Sequence, residues 1–129
     1  MKLRASKESD IYHALSKFLS LKYPELIWRF DFSAGTKMSI GQARIHKAFN
    51  PHRGYPDLFI AAPRNGYAGL FIEIKNDGQS PFKKNGSLLS NEHLQEQAEI
   101  LRRLTLAGYK AEFATGLMQC IETIENYLR

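Results

Sequence analysis

A chain of 129 residues, 43% of them hydrophobic, is long enough to bury one core, too short for two and too apolar for a disordered tail, so residues 1–129 read as a single domain. Its 18 lysines and arginines outweigh 13 acidic residues, a net charge of +5 that favours a polyanionic partner, and its one cysteine excludes an intrachain disulfide and, alone, a zinc site. No apolar run approaches a membrane span and Met1–Ser6 lack the apolar segment of a signal peptide, so the expected protein is cytoplasmic, with no membrane partner.

Ser6 is placed to cap a first helix running to about Tyr23, on which Ile11, Ala14, Leu15, Phe18 and Leu19 form an apolar stripe at helical spacing. Pro24 ends it. Glu8 lies in the first turn at the edge of that stripe, where a helix-dipole role is open to it; Asp10 is the acidic alternative, farther from the stripe's centre. Leu26–Phe32 then alternates like a strand. Between Ser33 and Arg53, with Gly35, Gly41 and Pro51, the periodicity breaks down. Lys37, Arg44, His46, Lys47, His52 and Arg53 crowd this stretch, which reads as a mobile, basic segment that faces nucleic acid and orders on binding it.

The next two elements, Gly54-Tyr55-Pro56-Asp57-Leu58-Phe59-Ile60 and Leu70-Phe71-Ile72-Glu73-Ile74-Lys75, read as strands of one hairpin. The turn formers Pro63–Tyr67 centre it near Asn65, which sets Asp57 across from Glu73, Leu58 across from Ile72 and Ile60 across from Leu70. Because strand side chains alternate, one face is apolar and the other presents Asp57, Glu73 and Lys75 toward solvent. Facing carboxylates repel and raise each other's pKa unless a cation is supplied. Oxygen donors of this kind suit Mg²⁺ or Mn²⁺, and Lys75 is placed to orient an attacking water. An isolated Glu-x-Lys would be an ordinary charged strand face; the Pro-Asp start and the shared register favour a site.

Asn76–Pro81 and Lys83–Gly86 have turn chemistry, and Lys83 and Lys84 join the basic segment in flanking the carboxylates, where both stretches can meet phosphates. Asn91 or Ser90 caps the next helix, whose core stripe is Leu94, Ala98, Leu101, Leu104 and Ala107 and whose end is Gly108. Gln97 shares the inward side of that helix and needs partners there, a metal-bound water or phosphate or else a backbone group; Gln95 replaces it if the register slips. Lys110–Thr115 is a final strand, Gly116 a break, and Leu117, Ile121, Ile124 and Leu128 the buried stripe of a closing helix with Cys120 in the core. Histidines 13, 46, 52 and 93 are scattered, without one-turn pairing, and read as surface or phosphate-contacting residues. Tyr55, Tyr67 and Phe82 either stack on unpaired bases or fill gaps in a small core. The whole is an α/β domain with a mixed central sheet flanked by helices.

Gly54-Tyr55-Pro56-Asp57, then Glu73-Ile74-Lys75, then Gln97 followed by Leu101, Leu104, Gly108 and Tyr109, resemble the PD-(D/E)XK nuclease superfamily, and within it the virus-type replication-repair nuclease (VRR-NUC) domain, including its small stand-alone phage and bacterial members. The resemblance runs from about Glu8 to Leu128. It implies a restriction-endonuclease-like αβββαβ core, dependence on Mg²⁺ or Mn²⁺ without a small-molecule cofactor, and phosphodiester hydrolysis in branched or structured DNA during replication, repair or recombination. It further implies Asp57 and Glu73 as metal ligands with the Ile74 carbonyl, Lys75 as the catalytic lysine, Gln97 as a helix residue facing the site and Glu8 as an acid near the metal. Similarity to junction-resolving enzymes implies a homodimer. The rival is a non-catalytic nucleic-acid-binding module of the same fold, which has no need of the Asp57, Glu73 and Lys75 set. A sequence-specific restriction enzyme would need extra elements to read base edges, and the chain has little length for them.

Overall fold

The computed structural model describes residues 8–31 and 37–129, in the order α1 (Glu8–Lys22), β1 (Trp28–Phe30), α2 (Ile40–Phe49), β2 (Leu58–Ile60), β3 (Leu70–Lys75), α3 (Glu92–Leu106), β4 (Lys110–Thr115) and α4 (Gly116–Leu128). The four strands lie in sequence order; β1–β2 and β2–β3 pair antiparallel and β3–β4 parallel, the mixed α/β sheet expected. No helix among the described residues is long and apolar enough to cross a membrane.

The β2–β3 connection ends in a tight turn. Asn65 (φ 53°) and Gly66 (φ 86°) both take positive φ, and Arg64 and Tyr67 exchange backbone hydrogen bonds of 3.1 and 2.8 Å across them. A two-residue turn of this hand suits the strand twist, and Asn-Gly is the pair that adopts it at least cost. Continued without a break, that turn would pair Ile60 with Phe71; the strands instead pair Leu58 with Ile72 and Ile60 with Leu70, because one residue more lies between Ile60 and Arg64 than between Tyr67 and Leu70, and this offset puts the apolar side chains on one face. Leu58, Ile60, Leu70, Ile72 and Ile74 all point into one core with Ile11, Leu15 and Leu19 of α1 and Cys120 and Ile124 of α4.

Two expectations are corrected. The proposed capping residue Ser6 and the start of the Ser33–Arg53 stretch lie outside the described residues, but within that stretch Ile40–Phe49 is helical, held by a capping box in which Ser39 Oγ accepts from Gln42 N–H while Gln42 Oε1 accepts from Ser39 N–H. It has no buried residue, so no apolar stripe marked it in the sequence. Gly116 is the break expected between strand and helix, its positive φ of 79° turning β4 directly into α4. On α4 the fully enclosed side chains are Cys120, Ile124 and Tyr127, with Leu117, Ile121 and Leu128 only partly buried, a rotation of the stripe made when Tyr127 reaches Ala62 O with its hydroxyl at 2.6 Å.

Candidate active site

The largest correction concerns the second face of the hairpin, which does not look onto solvent: Glu73 is 4% and Asp57 9% exposed. On the same face, one pleat further along, Phe59 stacks on Phe71 with ring centroids 4.4 Å apart, and Tyr55 and Tyr109 pack edge-on against Phe71. Over the carboxylates themselves lies α3. Its N-terminus is fixed by Asn91, whose side chain accepts from Leu94 N–H at 3.1 Å. Its close approach depends on Gly54 at φ +78°, where a Cβ would stand 2.9 Å from the backbone of Glu96 and Gln97. Only glycine tolerates both that φ and that contact.

Gln97, 5% exposed, is brought between the two members of the Glu-x-Lys pair. Its amide nitrogen donates to Glu73 Oε1 at 2.7 Å and its oxygen accepts from Lys75 Nζ at 2.7 Å. Gln95 is exposed, so the inward glutamine is Gln97. Asp57 is held from two sides: Oδ1 accepts from the Tyr12 hydroxyl at 2.5 Å and Oδ2 from the Ile74 backbone N–H at 2.7 Å. The other carboxylate is incomplete. Glu73 Oε2 is buried without a hydrogen-bond partner among the described residues.

Burial, and then the neighbouring Asp57 charge, push the Glu73 carboxyl well above the usual carboxylate range. Burial also raises Asp57, against the lowering effect of its bonds from Tyr12 and Ile74. Glu8 is half-buried at the start of α1 and raised by burial and by Asp57, with Lys75 and His93 acting the other way, so it stands within electrostatic reach of the cluster. Asp10 is exposed. The Tyr12 hydroxyl is raised by burial and by Asp57, which keeps it a donor.

The basic residues divide. Arg44 and Lys47 are exposed on α2 and Lys37 is exposed just before it, whereas Arg53 stands 3.9 Å from Glu96 and ties the end of that segment to α3. Lys83 and Lys84 sit in a tight loop closed by the Phe82–Leu88 bridge. Phe82 packs edge-on against Phe113 at 5.7 Å, and Lys75 Nζ lies 5.8 Å from the same Phe113 ring, which places this loop beside the cluster.

One participant escapes the sequence reading: Tyr12 lies beside Ile11 but off the apolar stripe, and a tyrosine rather than a phenylalanine at a buried position is the available signal. His93, expected to be a surface or phosphate-contacting residue, is exposed and lies one turn before Gln97, with its Nε2 3.2 Å from the Gln97 amide nitrogen.

No family model matches the chain, and no curated protein does. Among solved structures it is similar to one described as a "VRR_NUC domain protein", at 27% identity and a TM-score of 0.64, covering 98% of this chain and 91% of that one. Motif order, strand register and this neighbour agree that the chain is a VRR-NUC-like protein with a nuclease fold.

Proposed function

We propose that residues 1–129 form one domain that hydrolyses phosphodiester bonds in structured or branched DNA with Mg²⁺ or Mn²⁺. The observation that carries this reading is the buried Oε2 of Glu73, to which no N–H or hydroxyl among the described residues donates and which has the buried Asp57 carboxyl for a neighbour, while its other oxygen is linked through Gln97 to Lys75. Two buried carboxylates oppose folding unless they are neutralised. The donor set fits a hard cation, because Asp57, Glu73 and the Ile74 carbonyl offer only oxygen. Among the described residues no group of three or more His, Cys, Asp and Glu side chains could hold an ion, so an ion here would have one or two carboxylates as its side-chain ligands and water or phosphate in its other positions. When bound, such an ion acidifies a water and neutralises charge on the scissile phosphate.

The chain's own residues divide the remaining work. Tyr12 and the Ile74 N–H fix the plane of the Asp57 carboxylate, and since an ionised carboxylate has about four lone-pair sites, these two bonds leave it able to ligate. Gln97 fixes the Lys75 ammonium relative to Glu73, so Lys75 is in place to steady the attacking water and the phosphate oxygens as charge builds. Glu8 offsets the charge of Lys75. Lys83 and Lys84, with Lys37, Arg44, Lys47 and Arg53, would hold flanking phosphates without reading sequence. Action on branched DNA, and a homodimer that cuts two strands, rest on the resemblance to junction-resolving enzymes.

The test is cleavage by purified protein of single-stranded, duplex, flap and four-way-junction DNA with Mg²⁺, Mn²⁺ or chelator. Metal-dependent cutting of flap or junction ahead of plain duplex is expected. Cutting under chelator would overturn the metal requirement, and tight binding with no cutting under either metal would establish the non-catalytic module instead.

A further inference from the structure

An ammonium only donates hydrogen bonds, so the Gln97 atom facing Lys75 Nζ must be its oxygen, and the atom facing Glu73 Oε1 its nitrogen. The usual ambiguity of an amide is thereby removed. That same nitrogen lies 3.2 Å from Nε2 of His93. An amide nitrogen carries two hydrogens and accepts nothing; with one hydrogen on Glu73, the other goes to His93, whose Nε2 has to accept. His93 is then the tautomer protonated on Nδ1. Lys75 sets Gln97 and Gln97 sets His93. The chain of constraints ends in an oriented N–H donor with no protein acceptor among the described residues, on an exposed side chain one helical turn from Gln97.

Such a donor, one helical turn from a glutamine that grips the Lys75 ammonium, has the chemistry of a phosphate contact. We propose that His93 is a substrate-contacting residue whose Nδ1–H donates to a phosphate oxygen of the DNA strand held beside Lys75. The inference rests on the nuclease reading and adds to it a residue that positions the strand. It assigns the ring two separate jobs: Nε2 faces inward to Gln97, and Nδ1 faces the ligand.

Two isosteres separate those jobs. The side-chain amide of asparagine stands near the place of Nδ1, and that of glutamine near the place of Nε2. Affinity for a fluorescent four-way junction, measured by anisotropy in chelator, and single-turnover cleavage in Mg²⁺ should be compared for parent, His93→Ala, His93→Asn and His93→Gln, each checked for folding by circular dichroism. His93→Ala and His93→Gln should bind roughly tenfold more weakly, the size of a lost hydrogen bond to a charged group, and His93→Asn should recover most of that loss. Recovery by His93→Gln and not by His93→Asn would overturn the proposal and leave His93 as a positioning residue for Gln97. Parental affinity in all three variants, from a parent that binds and cuts, would overturn it alone. A parent that binds no DNA would overturn this proposal and the nuclease reading together.

Discussion

Ile72 and Glu73 are neighbours in β3, and both are almost fully enclosed, at 0% and 4% exposure. Ile72 enters a core of side chains that ask nothing of their surroundings but contact. Glu73 enters a layer roofed by α3, beside a second carboxylate, with one oxygen unsatisfied. A single strand thus places a complete environment on one face and an incomplete one on the other. The incomplete one marks where function is to be sought, because burying a polar group without a partner costs roughly 1–3 kcal/mol that folding alone gives no reason to spend.

The sharpest way to break this comparison is to alter each face in turn. Glu73→Gln removes the charge and keeps the shape, and should lower single-turnover cleavage by about 10³-fold while leaving stability to urea unchanged or raised. Ile72→Ala should do the reverse, costing about 2–5 kcal/mol of unfolding free energy and acting on cleavage only through loss of folded protein. If Glu73→Gln cuts like the parent, or destabilises as much as Ile72→Ala, the two faces do not differ in kind.

Titration sharpens the same contrast. Asp57 and Glu73 are both raised in the folded protein, so folding takes up protons, and the stability they lend is fully present below the ordinary carboxylate range and lost as pH rises through the folded values. In chelator, unfolding free energy should therefore fall as pH climbs from about 5 to 8, by at most about 1.4 kcal/mol per unit for one such group. Glu73→Gln should flatten the slope and added Mg²⁺ should restore stability at the upper end. A chelated protein equally stable at both pH values would show that the carboxylates are already satisfied. The smallest effect is expected outside the cluster: Lys83→Ala with Lys84→Ala should weaken DNA binding at every sequence and reduce the slope of log affinity against log salt by about 1–2, measured by anisotropy over a salt series. An unchanged slope would return that loop to ordinary surface.

What was legible in the sequence follows from range. The apolar alternation of both strands about a centre near Asn65 predicts the pairing of Leu58 with Ile72, and the strands adopt it, although the Asn65-Gly66 turn itself lies one residue out of that register. The inward side of α3 was legible by periodicity, so Gln97 was found. The depth of the site was not, because the roof depends on Gly54 meeting the backbone of residues some forty positions later, and no local pattern encodes that approach. Helix α2 escaped because periodicity detects a buried face and this helix has none; Ser39 and Gln42 were the only marks of it. Tyr12 lies off the apolar stripe of α1, and the scattering of the histidines does not tie His93 to Gln97; both contacts cross between residues through hydrogen bonds, which periodicity does not report.

Cys120 sits at 0% exposure under the sheet, its thiol pushed up to about 12 by burial and by the charges of Asp57 and Asp77. The thiolate is the reactive form, so at neutral pH the folded chain offers a thiol reagent almost nothing to attack. Labelling must then wait for the α4–sheet contact to part, and the chain's sole sulfhydryl becomes a stopwatch for that opening, readable with no engineered probe. Because Cys120 shares its core with Leu58, Ile72 and Ile74, the chain neighbours of Asp57 and Glu73, labelling with and without Mg²⁺ times how far the ion's grip reaches into the apolar side.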